Sequence, residues 1–304
     1  MNVLDIQGLS KIFIGKRRQR VEALKGLTLS IGQGEIFGFL GPNGAGKSTT
    51  IKCLMGLIRP TAGTATIMDE QIGSVASRAK IGFLPENPAF YDYLSAEEYL
   101  RFVGKAFKMP EALLARRTDE ILKQLELWDA HKRPMRGYSK GMVQRVGLAQ
   151  TLIHDPDLYI LDEPMSGLDP IGRSLVKEII LDLKKRGKSV FFSTHITDDV
   201  EKVCDRVGVI VKGQLEALDS VENIVRKGIE GYIVQTRLSQ GNHEALGGFA
   251  VTRTNETFIE YFVPVANFNE FVALAGQHSV EVTLVETKRK DLESFFLEIV
   301  EKGK

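Results

Sequence analysis

The sequence predicts an α/β fold: a core with a parallel sheet, a helical insert, and a small α+β domain at the C-terminal end. Three observations carry this. Short apolar runs recur along the first two-thirds of the chain, most of them separated by helical patterns, the alternation that builds a parallel sheet with crossover helices. Between Asn87 and Asp155 the pattern turns helical alone. After about Leu218 alternating strands take over. Residues 1–218 are therefore read as one domain with its insert at about 87–155, and 219–304 as a smaller one. A length of 304 residues suits one large domain plus a small one.

The elements follow in order. Glu35–Gly41 (EIFGFLG) is an apolar run ending in glycine, a buried strand entering a turn. Ser48–Ile58 has apolar residues at helical spacing, and Arg59-Pro60 is expected to stop it. Further buried strands are expected at Lys80–Leu84, Leu158–Leu161, Ser189–Thr194 and Val207–Val211. In the insert, Ser95 with Glu98 makes a capping box ahead of YLRFVGKAF. Glu111–Trp128 has apolar positions three and four apart, and a helix over Lys140–Ile153 leads back to the sheet. In the tail, GYIVQT, FAVTRT, TFIEYFVPV and VEVTLVET alternate like strands, while NFNEFVALAG and DLESFFLEIVEKG read as helices. With a short helix over Ser239–Leu246 the order becomes βαββαβ plus a helix, a ferredoxin-like arrangement.

Composition narrows the function classes. Hydrophobic content of 43% and charged content of 26% suit a soluble protein with a sizeable core. A net charge of +1 predicts neither nucleic-acid nor membrane-surface binding. Cys53 and Cys204 form no metal-type spacing and no disulfide framework, which suits a reducing cytoplasm. The start MNVLDIQGLS does not read as a signal peptide, and no stretch reaches the apolar length of a membrane span. A role at a membrane would therefore run through a partner.

GPNGAGKSTT (Gly41–Thr50) carries the chemistry, with Gly41, Gly46, Lys47 and Ser48 in the spacing G-x-x-x-x-G-K-[ST]. Glycines such as Gly41, Gly44 and Gly46 let the loop turn through Pro42, which has no N–H of its own, and aim backbone N–H groups such as those of Asn43 and Ala45 toward one point, where an anion can come close. The helix that follows, with Thr49 in its first turn, aims its positive end at that anion. Lys47 adds charge for the outer phosphates, and the Ser48 hydroxyl is a hard ligand for Mg2+. The competing reading, an accidental glycine turn with a surface lysine, ignores the placement between a strand and a helix. A second strand, LYILDEP, ends in two acids. Asp162 suits a Mg2+-linked carboxylate, and Glu163 suits a group that orients or deprotonates an attacking water. Alone, such a strand end would more simply be solvated; beside the cradle, function is the better reading.

YSKGMVQRVGLAQ (Tyr138–Gln150), just before that acid strand, resembles the signature motif of ABC-transporter ATPases. SGLDP (Ser166–Pro170) is similar to their D-loop, and STH (Ser193–His195) ends a strand where their switch histidine belongs. The resemblance covers roughly residues 3–218. It implies a P-loop NTPase core with an N-terminal antiparallel β subdomain. It also implies a dimer of ATPase subunits, a homodimer in the simplest case, that closes on two ATP molecules. Ser139 and Gly141 would contact the γ-phosphate across the dimer. Glu163 would be the catalytic base, His195 would hold γ-phosphate and water, and Asp169 would couple the two sites. Phe13 would stack on adenine with Val21 nearby, although Phe13 alone would most simply be core. The partners implied are a second ATPase subunit and a separate integral-membrane permease, and the location is the cytoplasmic face of the membrane.

The chain departs from the pattern at three positions. Glu86 stands where the family has glutamine, able to ligate Mg2+ or hold water but adding charge beside phosphates. Lys140 stands for the second signature glycine and Met142 for the terminal glutamine. The variant resembles the subgroup serving export-type permeases, in which a small C-terminal domain is common. A soluble ABC-type ATPase and a weakly hydrolysing nucleotide sensor are the alternatives. The basic loop Gly15–Arg20 reads as a solvated hairpin tip. FYDY (Phe90–Tyr93) suits either docking of the permease or packing within the insert.

Overall fold

Two thirteen-residue strands open the chain. β1 (Asn2–Ile14) and β2 (Arg20–Gly32) pair antiparallel, with Phe13 opposite Val21. The computed structural model describes residues 2–15, 19–239, 241–289 and 291–302. The basic centre of the Gly15–Arg20 loop, residues 16–18, lies outside the described residues. β3 (Ile36–Leu40) follows, then α1 (Lys47–Leu54), β4 (Ala62–Ile67) and β5 (Glu70–Gln71). β4 returns to β1, giving an antiparallel sheet in the order β2-β1-β4-β5.

Helix α1 stops at Leu54, before Arg59-Pro60. The stop is a left-handed turn at Gly56 (φ 68), where Gly56 N–H donates to Cys53 O and Leu57 N–H to Lys52 O. The last carbonyls are thereby satisfied before the proline is reached.

Ser74 caps α2 (Val75–Ala79), which leads into β6 (Ile81–Leu84). The insert supplies α3 (Ala96–Ala106), α4 (Glu111–Gln124) and α5 (Lys140–Leu152). The Ser95–Glu98 capping box is present in both directions. Helix α4 ends at Gln124 rather than Trp128, because Glu126 turns left-handed (φ 53) and Trp128–Ala130 closes as a 3-10 turn. Then come β7 (Leu158–Asp162), α6 (Pro170–Lys185), β8 (Ser189–Thr194), α7 (Thr197–Val203), β9 (Arg206–Val211) and β10 (Gln214–Ser220). They complete a six-stranded sheet in the order β10-β9-β3-β8-β7-β6. β9, β3, β8, β7 and β6 run parallel, with β10 antiparallel at one edge. Strands β3, β7 and β8 are buried at every residue, which is why they read as unbroken apolar runs rather than alternations.

Helix α7 seats on β3 at Gly38. A Cβ there would lie 2.8 Å from Cys204 Sγ and 3.0 Å from Val200 Cγ1, so the helix and strand approach closer than alanine permits. Gly38→Ala is expected to destabilise the protein by about 1–3 kcal/mol through overpacking. An unchanged unfolding midpoint would show that α7 gives way freely.

The chain divides into two compact units, Met1–Val221 with Ile299–Lys304, and Glu222–Glu298. In the second are β11 (Ile229–Arg237), β12 (Ala250–Thr254), β13 (Phe258–Pro264) and β14 (Val282–Arg289). The helices of the tail are α8 (Val221–Lys227), α9 (Phe268–Gln277) and α10 (Leu292–Lys302). The order β12-β13-β11-β14, with every neighbour antiparallel, is that of a ferredoxin-like sheet. Its first helix is reduced to a 3-10 turn, His243–Leu246, so the helix expected over Ser239–Leu246 is shorter than its span. Val234, Tyr261, Val263 and Phe271 form this unit's core. Among the described residues no helix is long and apolar enough to cross a membrane.

Candidate functional site

Strands β3, β8 and β7 lie side by side and parallel, and the residues that follow them are Gly41, His195 and Glu163. The sheet topology thus brings together three motifs spread over more than half of the larger unit. In such sheets ligands bind beyond the carboxyl ends of the strands.

The loop 41–46 turns β3 into α1. Gly46 caps the helix at φ 113, and a Cβ there would meet Ala23 O at 2.7 Å, so both conformation and space demand glycine. The first turn of α1 contains no acid, leaving its N–H groups and dipole unopposed toward an anion. Lys47 is buried. Its Nζ donates to Gly41 O at 2.6 Å and Pro42 O at 3.3 Å, and lies 3.6 Å from Glu163 Oε1. The lysine is thus folded back onto its own loop, where phosphate oxygens would compete for the same hydrogens. Asn43, Gly44, Ala45, Gly46, Lys47, Ser48 and Thr49 line an open pocket of about 280 Å³ with Ala23, Glu86 and Glu163.

Asp162 is buried and accepts a hydrogen bond from the Ser193 hydroxyl. Ser193 Oγ in turn accepts from Glu163 N–H at 3.1 Å. Glu163 sits at φ 49, a left-handed conformation that a glutamate holds only when its surroundings impose it. Its carboxylate meets His195 Nδ1 at 3.1 and 3.0 Å. A carboxylate accepts, so Nδ1 is the donor of this pair. The Glu163 side chain is 11% exposed and lines the pocket, while that of His195, 48% exposed, stands behind it and is not among the lining residues.

Glu86 is exposed and lines both this pocket and a neighbouring cavity, which Ser48, Asn87 and Asp162 also line. That cavity gathers hard oxygen donors suited to Mg2+. Among the described residues no three His, Cys, Asp or Glu side chains converge as a metal site by themselves. The donor set therefore fits an ion that arrives with phosphates and keeps part of its water, the usual habit of Mg2+.

The other sequence-predicted residues stand apart. Ser139 caps α5, its Oγ accepting from Met142 N–H at 3.2 Å, and Gly141 follows in the first turn. Asp169 caps α6, accepting from Gly172 N–H at 2.8 Å. Neither these three nor Phe13 and Val21 line the cradle pocket. Phe13 and Val21 face each other on the β1–β2 hairpin, both exposed, and Lys11 Nζ lies 5.1 Å from the Phe13 ring centre. Lys140 lays its stem over Gly167, where a Cβ would meet Lys140 Cε at 2.7 Å.

Three residues escaped the sequence reading. Ala23 lines the pocket by strand register alone. Buried Gln144 reaches from α5 to Pro164 O at 3.2 Å, tying the signature-like helix to the acid loop. Ser193 holds both acids; a polar residue ending the apolar run VFFS was the available signal.

The family described as ABC transporter matches residues 24–166. An uncharacterized ABC transporter ATP-binding protein of Synechocystis sp. is 40% identical over 300 residues, covering 97% of this chain and 84% of that protein. The linearmycin resistance ATP-binding protein of Bacillus subtilis is 31% identical over 288 residues, 91% of this chain and 93% of its own length. A solved ATP-binding subunit of an ABC transporter superposes with a TM-score of 0.67 at 32% identity, covering 74% of this chain and 92% of that one.

Proposed function

Given that the chain belongs to the ATP-binding proteins of ABC transporters, an ATPase family, we propose that it is the energy-coupling subunit of an exporter. In this reading it works as a homodimer with a separate membrane permease. The observation that carries the catalytic part is the contact of Glu163 with both Lys47 and His195 at the mouth of a phosphate cradle. Export is supported by the signature variant and by the relative named for linearmycin resistance.

The chain's own groups divide the work. Lys47 and the first-turn N–H groups of α1 hold the β- and γ-phosphates of ATP. Ser48, Asp162 and Glu86 would hold Mg2+, which neutralises charge on the phosphate oxygens. Glu163, oriented by the Ser193 bond to its N–H, accepts the proton of the attacking water. His195 keeps the Glu163 carboxylate in place through Nδ1–H and leaves its other nitrogen for the γ-phosphate or the water. Ser139, Gly141 and Asp169 lie outside the subunit's own pocket, which suits contacts made to ATP bound by a second copy. Phe13 and Val21 are exposed on their hairpin, available to adenine.

The insert carries the surface proposed for the permease. Phe90 packs on Tyr99 with ring centres 4.7 Å apart, while Tyr91, Tyr93 and Phe102 are exposed around them. The Tyr91 ring lies 5.9 Å from Tyr93 and 6.3 Å from Phe102. An exposed, mutually supported aromatic group of this kind suits a protein interface. Charging it with Tyr91→Asp and Tyr93→Asp is expected to abolish co-purification of a membrane protein while ATP affinity stays unchanged. Intact assembly would reject the docking surface.

The experiment that tests the proposal is isolation of the tagged chain from native membranes in mild detergent. A stoichiometric multi-span protein is expected. Recovery without one, even from a Glu163→Gln variant held with ATP, would favour the soluble ATPase.

A further inference from the structure

Helix α7 is seven residues long and follows His195 after a single residue. So short a helix does not hold its own orientation in water. Its N-cap, Ile196, makes no side-chain capping bond. Two contacts orient it. One is the close seat of Val200 on Gly38. The other is Asp199 in its first turn, whose side chain is only 1% exposed. Arg173 Nη2 donates to both Asp199 oxygens at 2.9 Å, and Lys177 Nζ meets Oδ1 at 2.9 Å. Both cations sit in the first half of α6, the helix that Asp169 caps. Lys177 also bonds Asp198 at 3.0 Å. Burial pulls the Lys177 pKa down, but its bonds to Asp199 and Asp198 outweigh this and hold it above the ordinary lysine value.

A buried ion pair contributes little net stability compared with apolar packing of the same volume, because desolvation opposes the attraction. What a doubly bonded carboxylate supplies well is direction. We infer that Asp199, clamped by Arg173 and Lys177, is a positioning residue that sets α7, and through it the His195 ring, against Glu163. The same clamp ties His195 to the helix that Asp169 begins. A shift of the Asp169 loop therefore reaches the catalytic pair through α6, Arg173, Asp199 and α7. The inference rests on the proposed roles of Glu163 and His195.

The test compares Asp199→Asn with the unaltered full-length protein by two readouts. The first is the split between kcat and ATP affinity. The second is the NMR resonance of the His195 ring N–H bonded to Glu163, assigned by its loss in His195→Ala. The expected result is a fall in kcat of about tenfold, the scale of a misplaced catalytic group, with ATP affinity unchanged. The ring resonance is expected to shift or broaden. A fall in kcat with the resonance untouched would mark a merely structural pair and overturn the inference, as would an unchanged kcat. Should Asp199→Asn fail to fold, Arg173→Gln is read in the same way, since it leaves Asp199 paired with Lys177. Full turnover by His195→Ala would overturn the site reading itself. Lost turnover there beside wild-type behaviour of Asp199→Asn would overturn only this inference.

Discussion

Glu163→Gln is expected to bind ATP with near-wild-type affinity and to lose turnover by at least about a hundredfold, the scale of a missing general base. The substitution keeps size and shape. His195 Nδ1–H can donate to the glutamine oxygen as it does to the carboxylate. The Ser193 bond to the backbone N–H at position 163 is untouched. What disappears is the charge that draws a proton from water and the attraction across 3.6 Å to Lys47. Freed from that attraction, Lys47 turns more readily to phosphate, so affinity is expected to hold or rise. Nucleotide binding by calorimetry and phosphate release over time separate the two effects. Turnover within a few-fold of wild type would remove Glu163 from the role of base.

Lys47→Ala is expected to fail at the earlier step. A charge-assisted hydrogen bond to phosphate contributes about 1.5–3 kcal/mol, so affinity for ATP should fall roughly ten- to a hundredfold and turnover with it. Glu163 and Asp162 would then face the phosphates without the buried cation between them. The substitution also removes the strap from Nζ to Gly41 O, so the ligand-free protein is expected to unfold at lower temperature. The two effects can be told apart by added ATP, which should raise the midpoint of the wild type and hardly move that of the variant. Equal stabilisation by ATP in both would show that Lys47 does not reach the phosphates.

The two variants are expected to fail differently because one charge sits behind the other. Lys47 stands between the loop and the acid, and Glu163 between the lysine and the histidine. Removing the first empties the cradle of its cation; removing the second is expected to leave the cradle able to bind and unable to react.

Much of the fold was legible in the chain. Strands β3, β6, β7, β8 and β9 and helix α5 stand within a residue of the apolar runs that predict them. Fully buried strands leave unbroken apolar runs and helix faces leave periodic patterns, and reading either needs no knowledge of neighbours. The ends were less legible. Helix α1 stops before Gly56 and α4 before Glu126 because local left-handed turns outcompete the continuing apolar pattern. The 3-10 turn at His243–Leu246 satisfies the strand order with fewer residues than a helix needs.

For the site, the sequence by itself predicted a chemistry for each piece. The spacing of Gly41, Gly46, Lys47 and Ser48 is a local property, since residues that are to cradle an anion jointly must be neighbours on one turn. The acids ending β7 and the histidine after β8 were visible as isolated signals for the same reason. Only the tertiary structure decided which of them meet. The order β3-β8-β7 places His195 beside Glu163 and Glu163 beside Lys47, contacts between residues far apart in the chain. It alone decided that Ser193 carries both acids and that Asp199 binds α7 to α6, because a side chain's partner across a sheet or between helices depends on strand order and register. No periodicity within a segment encodes that order.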